Sequence, residues 1–284
     1  MAIFSNQATL SYNGGSTDSN IAYGEILDVL TLTKTAIPDT YATGDTVTYV
    51  VTLRNTGTTA LTGLTLTDDL GGYDLGGTTV YPLTYVAGSA AAFVNGAPQA
   101  APAVTAGPPL AFTGISVPAG GDAVILYQAT VNNAADPNTG ATVVNTVTAA
   151  GAGLSAPVTA TETITATAAP NLTISKSICP TQVTDNDRVT YTFVSQNTGN
   201  TAVIATDNAA ITDTFDPILT DLTVTFNGAA WTQGVQYNYT PATGLFATVP
   251  GQILVPAATY TQDPVTGVYT ITPGTATLVV TGTI

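Results

Sequence analysis

The sequence predicts an all-β chain: two tandem β-sandwich domains with a separate strand ahead of them. Three observations carry this. Short runs rich in Val, Ile, Thr and Tyr recur, separated by Gly, Asn, Asp and Pro, as strands joined by turns are. No stretch repeats its apolar residues at helical spacing. One block occurs twice, Gly44-Asp-Thr-Val-Thr-Tyr-Val-Val-Thr-Leu-Arg-Asn-Thr-Gly57 aligning with Asn186-Asp-Arg-Val-Thr-Tyr-Thr-Phe-Val-Ser-Gln-Asn-Thr-Gly199, the mark of a duplicated unit.

Residues 1–14 are expected to form the leading strand. Phe4, Asn6, Ala8, Leu10 and Tyr12 alternate with Ser5, Gln7, Thr9 and Ser11, so the first set shares one face. Residues 15–29 read as a linker. The first sandwich is expected over 30–151, a second linker over 152–169 and the second sandwich over 170–284. Each sandwich opens on a strand ending in lysine, Leu30-Thr-Leu-Thr-Lys34 and Leu172-Thr-Ile-Ser-Lys176. Alternation puts Lys34 on the face of Leu30 and Leu32, and Lys176 on that of Leu172 and Ile174. The next repeat element is Leu64-Thr-Leu-Thr-Asp68, matched by Ala209-Ala-Ile-Thr-Asp213. Asp68 is in phase with Leu66, and Asp213 with Ile211. Ala123–Val131 then aligns with Ala276–Ile284. The first copy continues into Val143-Val-Asn-Thr-Val-Thr148, with Asn145 in phase with Val143 and Val147. The second stops at Ile284 and is expected to be incomplete. The leading strand supplies a piece of the missing kind, because Asn6 matches Asn145.

Composition narrows the function. The chain has 284 residues, enough for two ordinary domains, and 44% are apolar. Only 8% are charged, and the net charge is −14. That balance argues against nucleic acid and anionic membrane as partners, since both favour a basic face. There is no histidine, and Cys179 is the one cysteine. A Cys/His zinc site, a histidine triad and an internal disulfide are therefore excluded. Cys179 reads as a small side chain near a strand end. Asp185-Asn186-Asp187 reads as a solvated turn, as does Asp45, and neither a metal nor a cofactor is expected. No nucleotide loop or paired-carboxylate motif stands out, so an enzyme acting on an external substrate is not expected. The N-terminus lacks the basic and apolar regions of a signal peptide, no apolar run is long enough to span a bilayer, and the C-terminus shows no anchor signal. Either a leader has been removed or the protein leaves its cell without one.

Lys34 and Lys176 are the only two lysines, and both are expected to point inward beside an aspartate. Such a pair has two readings. One is a desolvated ion pair capped by an Asn amide, a weak source of stability. The other is an isopeptide bond. Burial lowers a lysine pKa and raises an aspartate pKa, so a neutral amine can attack the Asn carboxamide while the acid polarises it and shuttles protons. The fold supplies proximity, and ammonia leaves.

The succession of Lys, Asp-Thr-Val-Thr-Tyr, Asn-Thr-Gly, Thr-Asp and Asn-Thr resembles the bacterial surface-repeat family called domain of unknown function eleven. Its members are immunoglobulin-like sandwiches strung along large cell-surface proteins. The Lys–Asp–Asn set also resembles the self-cross-linking sandwich domains of Gram-positive pilins and adhesins. That resemblance implies a Lys34–Asn145 bond with Asp68 as catalyst. It gives Lys176 and Asp213 the same roles, but their Asn is absent in cis, a departure from the family pattern that Asn6 of a neighbouring subunit is expected to fill. The expectation is a subunit of an extracellular fibre on a cell or spore surface, polymerised head-to-tail with copies of itself by donation of residues 1–14 and inserted in no membrane. The alternative is an adhesion or carbohydrate-binding stalk, with Tyr73, Tyr81, Tyr85, Tyr237, Tyr239 and Trp231 available to stack on sugars.

Overall fold

The computed structural model describes residues 2–26, 28–151 and 153–284. Among the described residues its elements are strands apart from one short helical turn, Ala205–Asp207, and the long strands pair antiparallel with one another. Among the described residues no helix is long and apolar enough to cross a membrane. The chain forms two compact units. One holds residues up to Asp136 with Thr142–Thr165 and Pro264–Gly267; the other holds Pro137–Ala141, Ala166–Asp263 and Val268–Ile284.

The first unit is a two-sheet sandwich. One sheet runs in the order Ala97–Gln99, Ala91–Val94, Asp122–Val131, Thr46–Asn55, Leu30–Ile37. The other runs Ala103–Thr105, Leu110–Val117, Leu61–Asp68, Thr142–Ala150, Val158–Ala166, Thr40–Tyr41. Period-two alternation sends Val47, Tyr49, Val51 and Leu53 inward from the first sheet, and Leu64, Leu66, Phe112, Val147 and Ile164 from the second. All of these are buried.

Two expectations about linkers are corrected here. Residues 152–169 contain the strand Val158–Ala166, which pairs along Thr142–Ala150, so the first sandwich extends past 151. Its inward positions are Val158, Ala160, Glu162, Ile164 and Ala166; small and acidic residues among them thin out the apolar signal. Residues 15–29 contain Gly15–Asp18 and Ala22–Ile26, paired with Thr9–Tyr12 and Ala2–Asn6. The leading strand is therefore one arm of a hairpin and is itself split at Gln7-Ala8. Backbone hydrogen bonding drives this pairing, because the arms are too rich in Ser, Thr, Asn and Gly to signal it by apolar pattern.

In the second unit a five-stranded sheet runs Leu172–Cys179, Arg188–Asn197, Gly274–Thr283, Thr220–Phe226, Ala229–Trp231. A three-stranded sheet, Thr212–Thr214, Leu245–Thr248, Tyr237–Thr240, supplies Tyr237, Tyr239 and Phe246 to its core. From Lys34 to Gly57 the duplication holds residue by residue at a spacing of 142 positions (176 − 34); Asp68 and Asp213 stand 145 apart (213 − 68). Lys34 lies opposite Val51, and Lys176 opposite Phe193. Asn55 and Asn197 are both fully buried. Each donates from Nδ2 to a carbonyl four residues on, Thr59 and Thr201, and accepts from the amide of Gly57 or Gly199. The Asn-Thr-Gly of the repeat is thus a turn anchored by a buried amide. Asp45 and Asp187 accept from the amides of Ala42 and Thr184, as expected of turn residues.

Candidate functional site

In the first unit the three predicted residues converge between the sheets. Lys34 comes from one sheet, Asp68 and Asn145 from the other. Register explains the second pair: Asp68 lies opposite Val147, and Asn145 is two residues along the same strand on the same face. Lys34 Nζ donates to Asp68 Oδ2 at 2.6 Å, with both side chains 0% exposed. The Leu70 amide donates to Asp68 Oδ1 at 2.9 Å. The Lys34 ammonium also lies 4.8 Å from the centre of the Tyr49 ring, a contact that offsets part of its desolvation. Burial holds the Lys34 amine below its ordinary 10.5, against the opposing pull of Asp68. The neutral, nucleophilic form is therefore more accessible than in an exposed lysine.

The sequence reading missed Tyr127. Its hydroxyl donates to Asp68 Oδ2, and Asn145 Nδ2 donates to that same hydroxyl at 3.4 Å. The phenol thus bridges the acid and the carboxamide. Tyr127 stacks on Tyr49 at 5.3 Å, and burial pushes both phenols up. The available signal was a tyrosine in phase with Ile125 and Ala129, since a buried hydroxyl demands a partner. Asn145 Oδ1 is buried with no hydrogen-bond partner among the described residues. Orphaned buried acceptors are rare, and this one belongs to the group that would be attacked.

The second unit holds the same pair in a different state. Lys176 Nζ contacts Asp213 Oδ2, but the side chains are 41% and 18% exposed. The expectation that Lys176 is buried is corrected: every residue of Leu172–Cys179 is exposed, Cys179 included. The reason is topological. In the first unit Leu61–Asp68 is flanked by Thr142–Ala150; among the described residues no strand flanks Thr212–Thr214 on that side. Lys176 instead rests over the Tyr191, Phe193 and Phe215 rings. Val280 takes the place of Tyr127, each lying opposite the repeat tyrosine, Tyr191 or Tyr49. Phe215 stacks on Tyr191 at 4.8 Å and supplies a ring without a hydroxyl. Asn6 is exposed in the N-terminal hairpin, opposite Ala22. Phe4, Ala8, Leu10 and Tyr12 are exposed as well.

The aromatic residues considered for sugar stacking are placed otherwise. Tyr237 and Tyr239 are buried, and Tyr73, Tyr81, Tyr85 and Trp231 are half-buried. Trp231 stacks on Phe226 at 4.9 Å.

No family model matches the chain, and no curated protein is significantly similar to it. Among solved structures it is similar to BcpA, the major pilin subunit of Bacillus cereus, at 10% identity over 96% of this chain and 73% of that one, with a TM-score of 0.37. It is similar to the N-terminal domain of the Streptococcus gordonii adhesin Sgo0707 at 14% identity, over 54% of this chain, with a TM-score of 0.35. The chain spans 36% of the length of that adhesin domain. The collagen-binding domain of a Staphylococcus aureus adhesin aligns at 13% identity over 48% of this chain and 98% of that one, with a TM-score of 0.30.

Proposed function

We propose that this protein is the structural subunit of an extracellular, pilus-like fibre, assembled head-to-tail by strand donation and locked by Lys–Asn isopeptide bonds. The observation that carries the reading is the contrast between the two copies of one site. In the first, the strand bearing Asn145 closes the pocket over Lys34 and Asp68. In the second, Lys176 and Asp213 stand open beside an unpaired sheet edge, while a strand bearing Asn6 is exposed at the front of the chain. An open edge is a template for strand addition. A head-to-tail contact of this kind does not close on itself and yields a filament.

The chemistry follows from the first site. Lys34 passes a proton to Asp68 across their hydrogen bond and becomes a neutral amine. Its Nζ attacks Cγ of Asn145, while the protonated Asp68 polarises the carboxamide directly or through Tyr127. Asp68 delivers its proton to Nδ2 and takes the second proton from the attacking Nζ; the Cγ–Nδ2 bond breaks, ammonia departs, and Asp68 is left protonated. One amide replaces another, so no oxidant or cofactor is consumed. Lys176, Asp213 and Asn6 of a neighbouring copy perform the same exchange between subunits.

Boiling the purified protein in SDS is expected to leave a ladder of oligomers, and Asn6→Ala to reduce the ladder to monomer. A ladder that survives Asn6→Ala removes Asn6 from the cross-link. Asp213→Ala is expected to leave fibres visible by negative-stain microscopy but soluble in hot SDS; undiminished resistant ladders in that variant would rule out Asp213 as the catalyst.

A further inference from the structure

Given head-to-tail completion, on which this rests, we propose that residues 2–26 enter a second copy as a two-stranded hairpin. The outgoing arm takes the place that Thr142–Ala150 holds in the first unit, and the returning arm takes that of Val158–Ala166. The piece exchanged is thus twice the single strand that the open edge alone would require.

Four observations converge on it. First, the order along the chain is the same in both cases. Asn145 is followed by its returning strand Val158–Ala166 and then by the Lys176 strand; Asn6 is followed by Ala22–Ile26 and then by the Lys34 strand. Second, residues 2–26 already have the hairpin form, with Asn6 opposite Ala22 as Asn145 is opposite Glu162. The arms turn at Asn13-Gly14, between the paired Tyr12 and Gly15, a dipeptide suited to a tight hairpin. From Asn6 to Thr9 is three residues, while the partners Ala22 to Asp18 span four. The extra residue bulges the returning arm where the outgoing arm is interrupted at Gln7-Ala8.

Third, the hairpin has one apolar face with nothing on it. Phe4, Asn6, Leu10 and Tyr12 lie opposite Gly24, Ala22, Thr17 and Gly15, and cross-strand partners share a face. Phe4 covers Gly24 so closely that a Cβ there would come within 2.2 Å of its ring. The other face carries Ser5, Ser11, Ser16 and the Thr9–Asp18 hydrogen bond of 2.6 Å, with Tyr23, opposite Ser5, as its one large aromatic side chain among the described residues. A face with Phe4, Leu10 and Tyr12 all exposed is out of place in water, and it fits the uncovered Leu172, Ile174 and Ile178.

Fourth, the second unit has a vacant landing site for a returning arm as well as for an outgoing one. In the first unit Val158–Ala166 is flanked by Thr40–Tyr41, and the Thr165 amide donates to the Asp39 carbonyl at 3.0 Å. Residues 181–183 are the counterparts of 39–41 at the spacing of 142. They lie in no strand, and Val183 is 38% exposed where Tyr41 is 1%. A lone strand laid along Thr212–Thr214 would leave 181–183 bare; the second arm reaches them. Setting Asn6 on Asn145 and Ala22 on Glu162 brings the Glu25 amide to the Thr181 carbonyl. The shared site then differs from the internal one by a charge, since Ala22 replaces Glu162.

Amide hydrogen exchange on the assembled full-length protein, compared with unassembled chain, tests this. Slowing is expected in residues 22–26 and 181–183 together with 2–12 and 212–214. Slowing confined to 2–12 and 212–214 would overturn the hairpin while leaving strand donation in place. A wild-type chain that never assembles would overturn both. As a second arm, Tyr23→Pro breaks the returning strand without touching the outgoing one or either sandwich core. It is expected to lose most of the SDS-resistant ladder, and an unchanged ladder would favour the single strand.

Discussion

Asp68→Ala is expected to be the most damaging single substitution in the first unit. Asp68 is fully buried and accepts from Lys34, Tyr127 and the Leu70 amide at once. Its removal leaves a buried amine with no counter-charge and two more donors without an acceptor. Breaking a buried pair by deleting one partner costs about 3–5 kcal/mol, a large part of the stability of an ordinary domain. It also removes the proton shuttle, so the intact mass should equal that of the sequence, with no ammonia lost. Asp68→Asn separates the two effects. It restores an acceptor for Leu70 and recovers part of the stability, but it cannot carry the proton and should also keep the full mass. Denaturant unfolding paired with intact-mass measurement reads both. An Asp68→Asn chain that still loses ammonia would remove Asp68 from the catalytic role.

Much of this site was legible before any coordinates. Strand alternation alone placed Lys34, Asp68 and Asn145 inward, because a period of two leaves a side chain only two faces to choose from. The repeat located the second pair for the same reason. What alternation does not report is whether another strand covers that inward face, so Lys176 was read as buried although its strand lies bare. Tyr127 escaped notice because it reaches Asp68 from a strand 59 positions away, and no local pattern marks that distance. The returning strands were lost for a different reason. In Val158–Ala166 the inward set is interrupted by Glu162, and in Gly15–Ile26 turn-forming residues outnumber apolar ones. A strand held by backbone pairing inside a hairpin needs little apolar content, and composition then resembles a linker.

Asn145→Ala should expose what the covalent bond itself contributes. This substitution leaves the Lys34–Asp68 pair in place and removes the group that is attacked. A bond between Lys34 and Asn145 would close a loop of 111 positions (145 − 34). In the chain-entropy account, a cross-link over a loop of that size stabilises by about 4–5 kcal/mol, so the variant should unfold at markedly lower denaturant concentration with its full mass retained. Its response to pH provides a second signature. In the variant Lys34 remains an amine, held below its ordinary 10.5 by burial in the folded state and released to that ordinary value on unfolding. Between those two values the unfolded chain binds the extra proton, so stability rises as pH climbs through the window. In the cross-linked protein the same nitrogen is an amide with no proton to exchange, and this rise is absent. Equal alkaline slopes for the two proteins, with each intact mass equal to that of its own sequence, would mean that Lys34 and Asp68 are no more than an ion pair.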